Sequence, residues 1–141
     1  MIVYATRDDM VTRFGEREVI ALTDRDYAGQ INDTVLTEAL VNATAEIDGY
    51  LGGRYPLPMA TPPKILTGYA CDIARYRMCG ADAVETELIR DRYKDAIRFL
   101  ELVAAGRVTL GGMPGGGPAP VDNTVQFTPG LRVFARDGGA F

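Results

Sequence analysis

The sequence contains no histidine, and its two cysteines, Cys71 and Cys79, do not form a Cys-x-x-Cys pair. Zinc ligation of the usual kind and every histidine-based general-base scheme are therefore excluded. The two cysteines fall within one predicted helix, where their spacing at ~1.5 Å rise per residue separates them by about 12 Å. That is beyond disulfide reach, so they read as buried thiols acting as small hydrophobes. An excess of basic charge is also missing. With a formal charge of −4 and a pI of about 4.8, the chain lacks the clustered Lys and Arg needed to grip nucleic acid through its phosphates. No run approaches the ~18 apolar residues of a spanning helix, and Met1 to Asp9 carries no leader-like apolar stretch, so a cytoplasmic product without membrane contact is expected. No internal repeat is visible.

What remains is the composition of an ordinary globular chain. At 141 residues, 47% hydrophobic and 24% charged, with mean hydropathy near zero, there is enough apolar sequence for one modest core. Thr6 followed by Asp9 forms an acidic variant of the capping box and opens a short helix through Met10, Val11 and Phe14, which Gly15 ends. A second short helix is expected from Glu16 to Leu22. The polar stretch Thr23 to Asp33 forms a loop, with Asn32 or Asp33 placed to cap the third helix. From Val35 to Leu51 the residues Leu36, Leu40, Ala43, Ile47 and Tyr50 share one helical face, and Gly52-Gly53 stops the helix before a proline-rich connector, Arg54 to Pro58.

Thr61 is expected to cap a fourth helix that Pro62-Pro63 initiates and that runs to about Cys79, with a stripe of Leu66, Tyr69, Ala70, Ile73 and Arg77. Asp72 and Arg75, three apart, can pair beside it. Asp82 and Glu85 repeat the capping logic for a fifth helix, Val84 to Ala105, which buries Ile89, Tyr93, Ala96, Ile97, Leu100 and Val103. Its other side carries Glu87, Arg90, Asp91, Lys94, Asp95 and Arg98, a solvated or subunit-facing surface. The fold class is thus mainly α, a small bundle of about five helices, two short and three long.

A helical domain over residues 1–110 is followed by a change of character. Residues 111–120 are a Gly/Pro linker by composition, and beyond it Val125-Gln126-Phe127 and Leu131-Arg132-Val133-Phe134 form short β-like segments too small to fold alone. Residues 111–141 read as a docking arm for a partner chain, with Phe127, Leu131, Val133 and Phe134 as its anchors, since apolar and aromatic groups dominate interface energy.

Residues 24–35 partly match the calcium loop of EF-hands, with Asp24 and Asp26 at the first and third places, Gly29 at the sixth and Ile31 at the eighth. Ala28 sits where an oxygen ligand belongs, and Val35 replaces the bidentate Glu. The loop therefore reads first as an Asp/Gly turn with Gly29 at positive φ, and a small calcium-responsive binding module using Asp24, Asp26 and Asn32 is the alternative. A degenerate DNA-binding helical domain is a third reading. The acids lie on helix faces and in caps, not across a cleft, and no Walker-type Lys-Ser/Thr follows Gly115-Gly116-Gly117. No nucleophile and base can be nominated together, so neither an enzyme nor a resident cofactor is expected.

The string Glu46-Ile47-Asp48-Gly49-Tyr50-Leu51-Gly52-Gly53-Arg54-Tyr55-Pro56-Leu57-Pro58, with Ala70-Cys71-Asp72-Ile73-Ala74-Arg75-Tyr76 downstream, resembles the head-tail connector family of Mu-like phages and prophages. The opening Tyr4-Ala5-Thr6 through Arg13-Phe14-Gly15, and Leu22-Thr23-Asp24-Arg25, resemble it too, so the likeness spans about residues 1–111. It implies a structural virion protein made in the host bacterial cytoplasm and placed at the head-tail junction. There it would form a homo-oligomeric ring, typically dodecameric, between the phage portal protein and a tail-side connector or stopper, and DNA would pass through without specific binding. Arg54 is expected to pair with Asp48 or Asp72, fixing the connector against the third and fourth helices, with a lateral contact to the next subunit as the other reading of these residues and Arg75.

Overall fold

The chain begins along the flank of a helix it has yet to form. Tyr4 is buried, its backbone N–H donates to Thr44 Oγ1 at 3.2 Å and its hydroxyl donates to Asp48. A computed structural model describes residues 2–80 and 84–110. Helix α1, Arg7–Phe14, starts at a complete capping box: Thr6 Oγ1 accepts from the Asp9 N–H while the Asp9 carboxylate accepts from the Thr6 N–H at 2.8 Å. Gly15, at φ +87°, ends α1 and leads directly into α2, Glu16–Thr23. Thr23, fully buried, then ties the end of α2 to the next helix, donating to Val19 O at 2.8 Å and accepting from the Asn32 N–H at 3.1 Å.

Helix α3, Asp33–Leu51, is capped by Asn32, whose side-chain oxygen accepts from the Thr34 and Val35 N–H groups. The predicted stripe is the buried one, with Leu36, Leu40, Ala43 and Ile47 inside and Tyr50 at its margin; Ala39, Thr44 and Leu51 widen it. The connector follows, with Tyr55 and Met59 buried beneath it.

Helix α4, Lys64–Met78, starts later than Pro62-Pro63 suggest, and Thr61 does not cap it. A threonine there would find no N–H at the second helical position, which Pro63 occupies, and Pro63 itself stays extended at ψ 140°. Helix α5, Glu87–Ala104, is also shorter than expected. Its cap is Thr86, whose Oγ1 accepts from the Ile89 N–H at 3.3 Å, while Glu85 instead pairs with Arg90 at 2.6 Å; the expected cap Asp82 lies outside the described residues. Val84, read as helical, precedes α5 and is exposed.

Helices α3, α4 and α5 form the main core. Ring stacking fixes α4 and α5 as an antiparallel pair, with Tyr69 on Phe99 at 4.7 Å between centroids and Tyr76 on Tyr93 at 4.0 Å. Ile73, Ala96, Leu100 and Val103 are fully buried between them and α3. After α5 the chain folds back: Gly106, at φ +77°, turns it, and buried Leu110 donates its N–H to Tyr55 Oη at 3.0 Å. The described residues are all helix, turn and loop, a mainly α architecture of five helices. The arm, 111–141, with its β-like segments and the anchors Phe127, Leu131, Val133 and Phe134, lies outside them.

Candidate functional site

Two faces of α4 differ in chemistry, and the face toward α1 and α2 carries the buried charged groups. Asp72 and Arg75 both lie here, but they do not pair with each other as their spacing suggested. Asp72 is held by Arg13 of α1, with Nη2 to Oδ2 at 3.0 Å, and Arg75 reaches Glu18 of α2. Phe14 is the filler, with the Arg75 guanidinium 4.5 Å from its ring centroid and that of Arg13 5.9 Å away. Burial raises the Asp72 carboxyl above its ordinary range, and the Arg13 charge opposes that shift. These cross-element pairs are invisible to helical periodicity because their partners lie more than 50 residues away in sequence.

Arg54 corrects the expectation more fully. It pairs with neither Asp48 nor Asp72: Asp48 accepts from the Tyr4 hydroxyl and Asp72 is taken by Arg13. The Arg54 guanidinium lies instead against Gly106, where a Cβ would come within 2.2 Å of Nη1, and its buried Nε has no partner among the described residues. The connector is thus held by the chain that follows α5, through Arg54 and Tyr55. Arg77, expected in the apolar stripe of α4, is exposed and bonded to Glu46 at 3.0 Å, and the Tyr93 hydroxyl donates to the same carboxylate at 2.9 Å. Burial and that hydrogen bond push the Tyr93 phenol up to about 12.

Between α1 and the first half of α4 lies an open cleft of about 550 Å³. Asp9, Arg13, Lys64, Ile65, Gly68 and Tyr69 line it together with buried Cys71. Gly68 shapes one wall, since a Cβ there would crowd the Arg13 guanidinium at 3.2 Å and disturb its reach to Asp72. Ile65 is half exposed at the rim, and Lys64 joins no ion pair among the described residues. Burial pushes the Cys71 thiol up to about 12, which leaves it protonated and unreactive at neutral pH.

The acidic loop between α2 and α3 is built as a turn. Both Asp24 carboxylate oxygens accept backbone amides at 2.8 Å, one from Ala28 and one from Gly29, and Gly29 takes the expected positive φ of +73°. Asn32 is the helix cap, Asp33 pairs with Arg7 at 2.8 Å, and Arg25 donates to Met78 O at the end of α4. Of the candidate calcium ligands, Asp24 and Asn32 thus already have structural hydrogen-bond partners. The residue that sequence reasoning passed over is Tyr27, at φ +55° and 80% exposed on the loop tip.

The family model described as Bacteriophage Mu, Gp36 matches residues 4–128. Mu-like prophage FluMu protein gp36 of Haemophilus influenzae is 39% identical over 111 residues, covering 79% of this chain and 77% of that protein. Gene product J of Escherichia phage Mu is 33% identical over 140 residues, 98% of each chain. The family match runs through the capping box, the acidic loop and all five helices described above, and the chain belongs to the Bacteriophage Mu Gp36 family of phage and prophage proteins.

Proposed function

We propose that this chain is a structural virion protein, a head-tail connector whose copies form a ring between the portal and a tail-side connector or stopper, and that it performs no reaction. Membership in a phage protein family supports a virion role. The observation that carries the connector reading is the placement of exposed apolar side chains at opposite ends of the antiparallel α4–α5 pair. Ile65 sits at the start of α4, whereas Val84 and Leu88 sit at the far end, beside the start of α5. At ~1.5 Å per residue the two ends are roughly 20 Å apart. A subunit with different contact patches at two ends associates head to tail, which closes into a ring when the rotation permits.

The remaining surface suits that role. The outer face of α5 exposes Glu87, Arg90, Asp91, Lys94, Asp95 and Arg98, a mixed-charge surface fit for lateral contact or solvent. With a formal charge of −4, a ring of such chains has few cations to spare for neutralising phosphates and releasing the counterions of DNA, so a duplex would slide through. The arm, tethered behind its linker, would add affinity for a neighbouring ring through effective concentration.

The test is complementation. Particles made without this protein should accumulate as filled heads and separate tails, and adding the purified full chain to such a lysate should join them. Heads and tails that join equally well in its absence would refute the proposal.

A further inference from the structure

Tyr27 combines two properties that seldom coincide. Its ring is 80% exposed, and its backbone is left-handed at φ +55°, a conformation that is an outlier for a bulky residue. The surrounding structure imposes this. Asp24 grips the two amides that follow Tyr27, Arg25 anchors the loop to Met78 O, and buried Thr23 holds the far end through the Asn32 N–H. A backbone held in a sparsely populated region by so many bonds points to a use for the side chain it displays. Tyrosine is also among the side chains that dominate interface energies when they enter a partner's pocket.

The α1–α4 cleft has the complementary properties. Its 550 Å³ is ample for one phenol ring with part of its loop, and Ile65 and Tyr69 offer an apolar wall. Lys64 supplies the cation of the cleft that joins no ion pair among the described residues, since Asp72 holds Arg13 and Asp9 caps α1, whereas on the loop Asp26 is the acid beside Tyr27 that joins none, Asp33 being held by Arg7 and Asp24 by backbone amides. The loop is anchored at the C-terminal end of α4 and the cleft opens at its N-terminal half, so one chain cannot satisfy both with its own parts. We propose that Tyr27 of one copy inserts into the α1–α4 cleft of the next, with Asp26 facing Lys64, as a head-to-tail contact between identical subunits. This rests on the ring reading above, with the cleft at the Ile65 end of α4 and the Tyr27 loop anchored at the opposite end.

The test uses the full chain at high concentration, with and without the phage's portal protein, and reads self-association by sedimentation. A photoreactive benzophenone amino acid at position 27 reports what the side chain touches, and mass spectrometry maps the products. Cross-links between copies, from position 27 to residues 64–69, are expected. Tyr27→Ala should weaken self-association by about tenfold or more with the circular dichroism melt retained. Lys64→Glu should weaken it too, and Asp26→Lys added to Lys64→Glu should restore it. Cross-links that go to residues 111–141, to the portal or to another surface, with Tyr27→Ala still assembling normally, would overturn the contact and leave the ring reading standing. A wild-type chain that stays single even with the portal would overturn both.

Discussion

The two faces of α4 are held by different physics. Toward α3 and α5 the seam is dry at its centre: Ile73, Ala74, Leu100 and Val103 are fully buried, aromatic stacks close its edge, and the Arg77–Glu46–Tyr93 bonds sit at its exposed margin. Toward α1 and α2 the seam is ionic, with Arg13 on Asp72, Arg75 on Glu18 and Phe14 between the two guanidinium groups, and it leaves a cleft open to solvent. Helix α4 packs more extensively on α3 and α5 than on α1 and α2, while the ion pairs, over buried Met10 and Val19, set the position of a short helical layer whose cleft stays open. That division would suit the proposed ring subunit, a wedge with a surface open to its neighbour.

Truncation separates the two seams most sharply. Ile73→Ala or Leu100→Ala should each lower stability by about 3 kcal/mol in chemical denaturation, because a fully buried aliphatic leaves both lost burial and a cavity. On the ionic side the two partners should differ. Arg13→Ala strands the Asp72 carboxylate, whose side chain is only 6% exposed, and should cost about 2 kcal/mol, whereas Asp72→Ala leaves Arg13, at 38%, able to hydrate, and should cost about half that. Equal losses in the two variants would contradict the asymmetry.

Alkaline titration sharpens the same comparison from the α1 side. The Cys71 thiol ordinarily titrates near 9.0 and burial raises it to about 12 in the fold. The unfolded chain therefore releases that proton first, so the contribution is fully present below pH 9 and is lost as pH rises toward 12. Cys71→Ala should flatten this part of the stability profile; an unchanged slope would show that the thiol does not carry it. The smallest effect is expected at the loop tip. Tyr27→Asn relieves a left-handed backbone that asparagine tolerates and should raise stability by about 0.5 kcal/mol in thermal melts, whereas a loss would mean that the exposed ring packs within its own chain.

Much of the dry seam was legible in the sequence, because a stripe such as Leu36, Leu40, Ala43 and Ile47 encodes its own burial at helical spacing. The Thr6–Asp9 box and the Asn32 cap were legible for the same reason, since both bonds are local. The starts of α4 and α5 were misplaced where several capping residues compete within a few positions: Thr61 lost to the missing N–H of Pro63, and Glu85 was drawn to Arg90 while Thr86 took the cap. The ionic seam was not legible. Asp72 and Arg75 satisfy a local pairing rule, yet each finds a better partner on a helix 57 to 59 residues earlier, and only tertiary packing decides that. Arg54 failed likewise, because nothing in its neighbourhood announces Gly106 as its surface.

A connector role requires that copies of this chain assemble at the portal. Electron micrographs of the purified chain mixed with the portal protein test this most directly. Closed rings docked coaxially on one end of the portal are expected, and a chain that remains single and leaves the portal bare would contradict it.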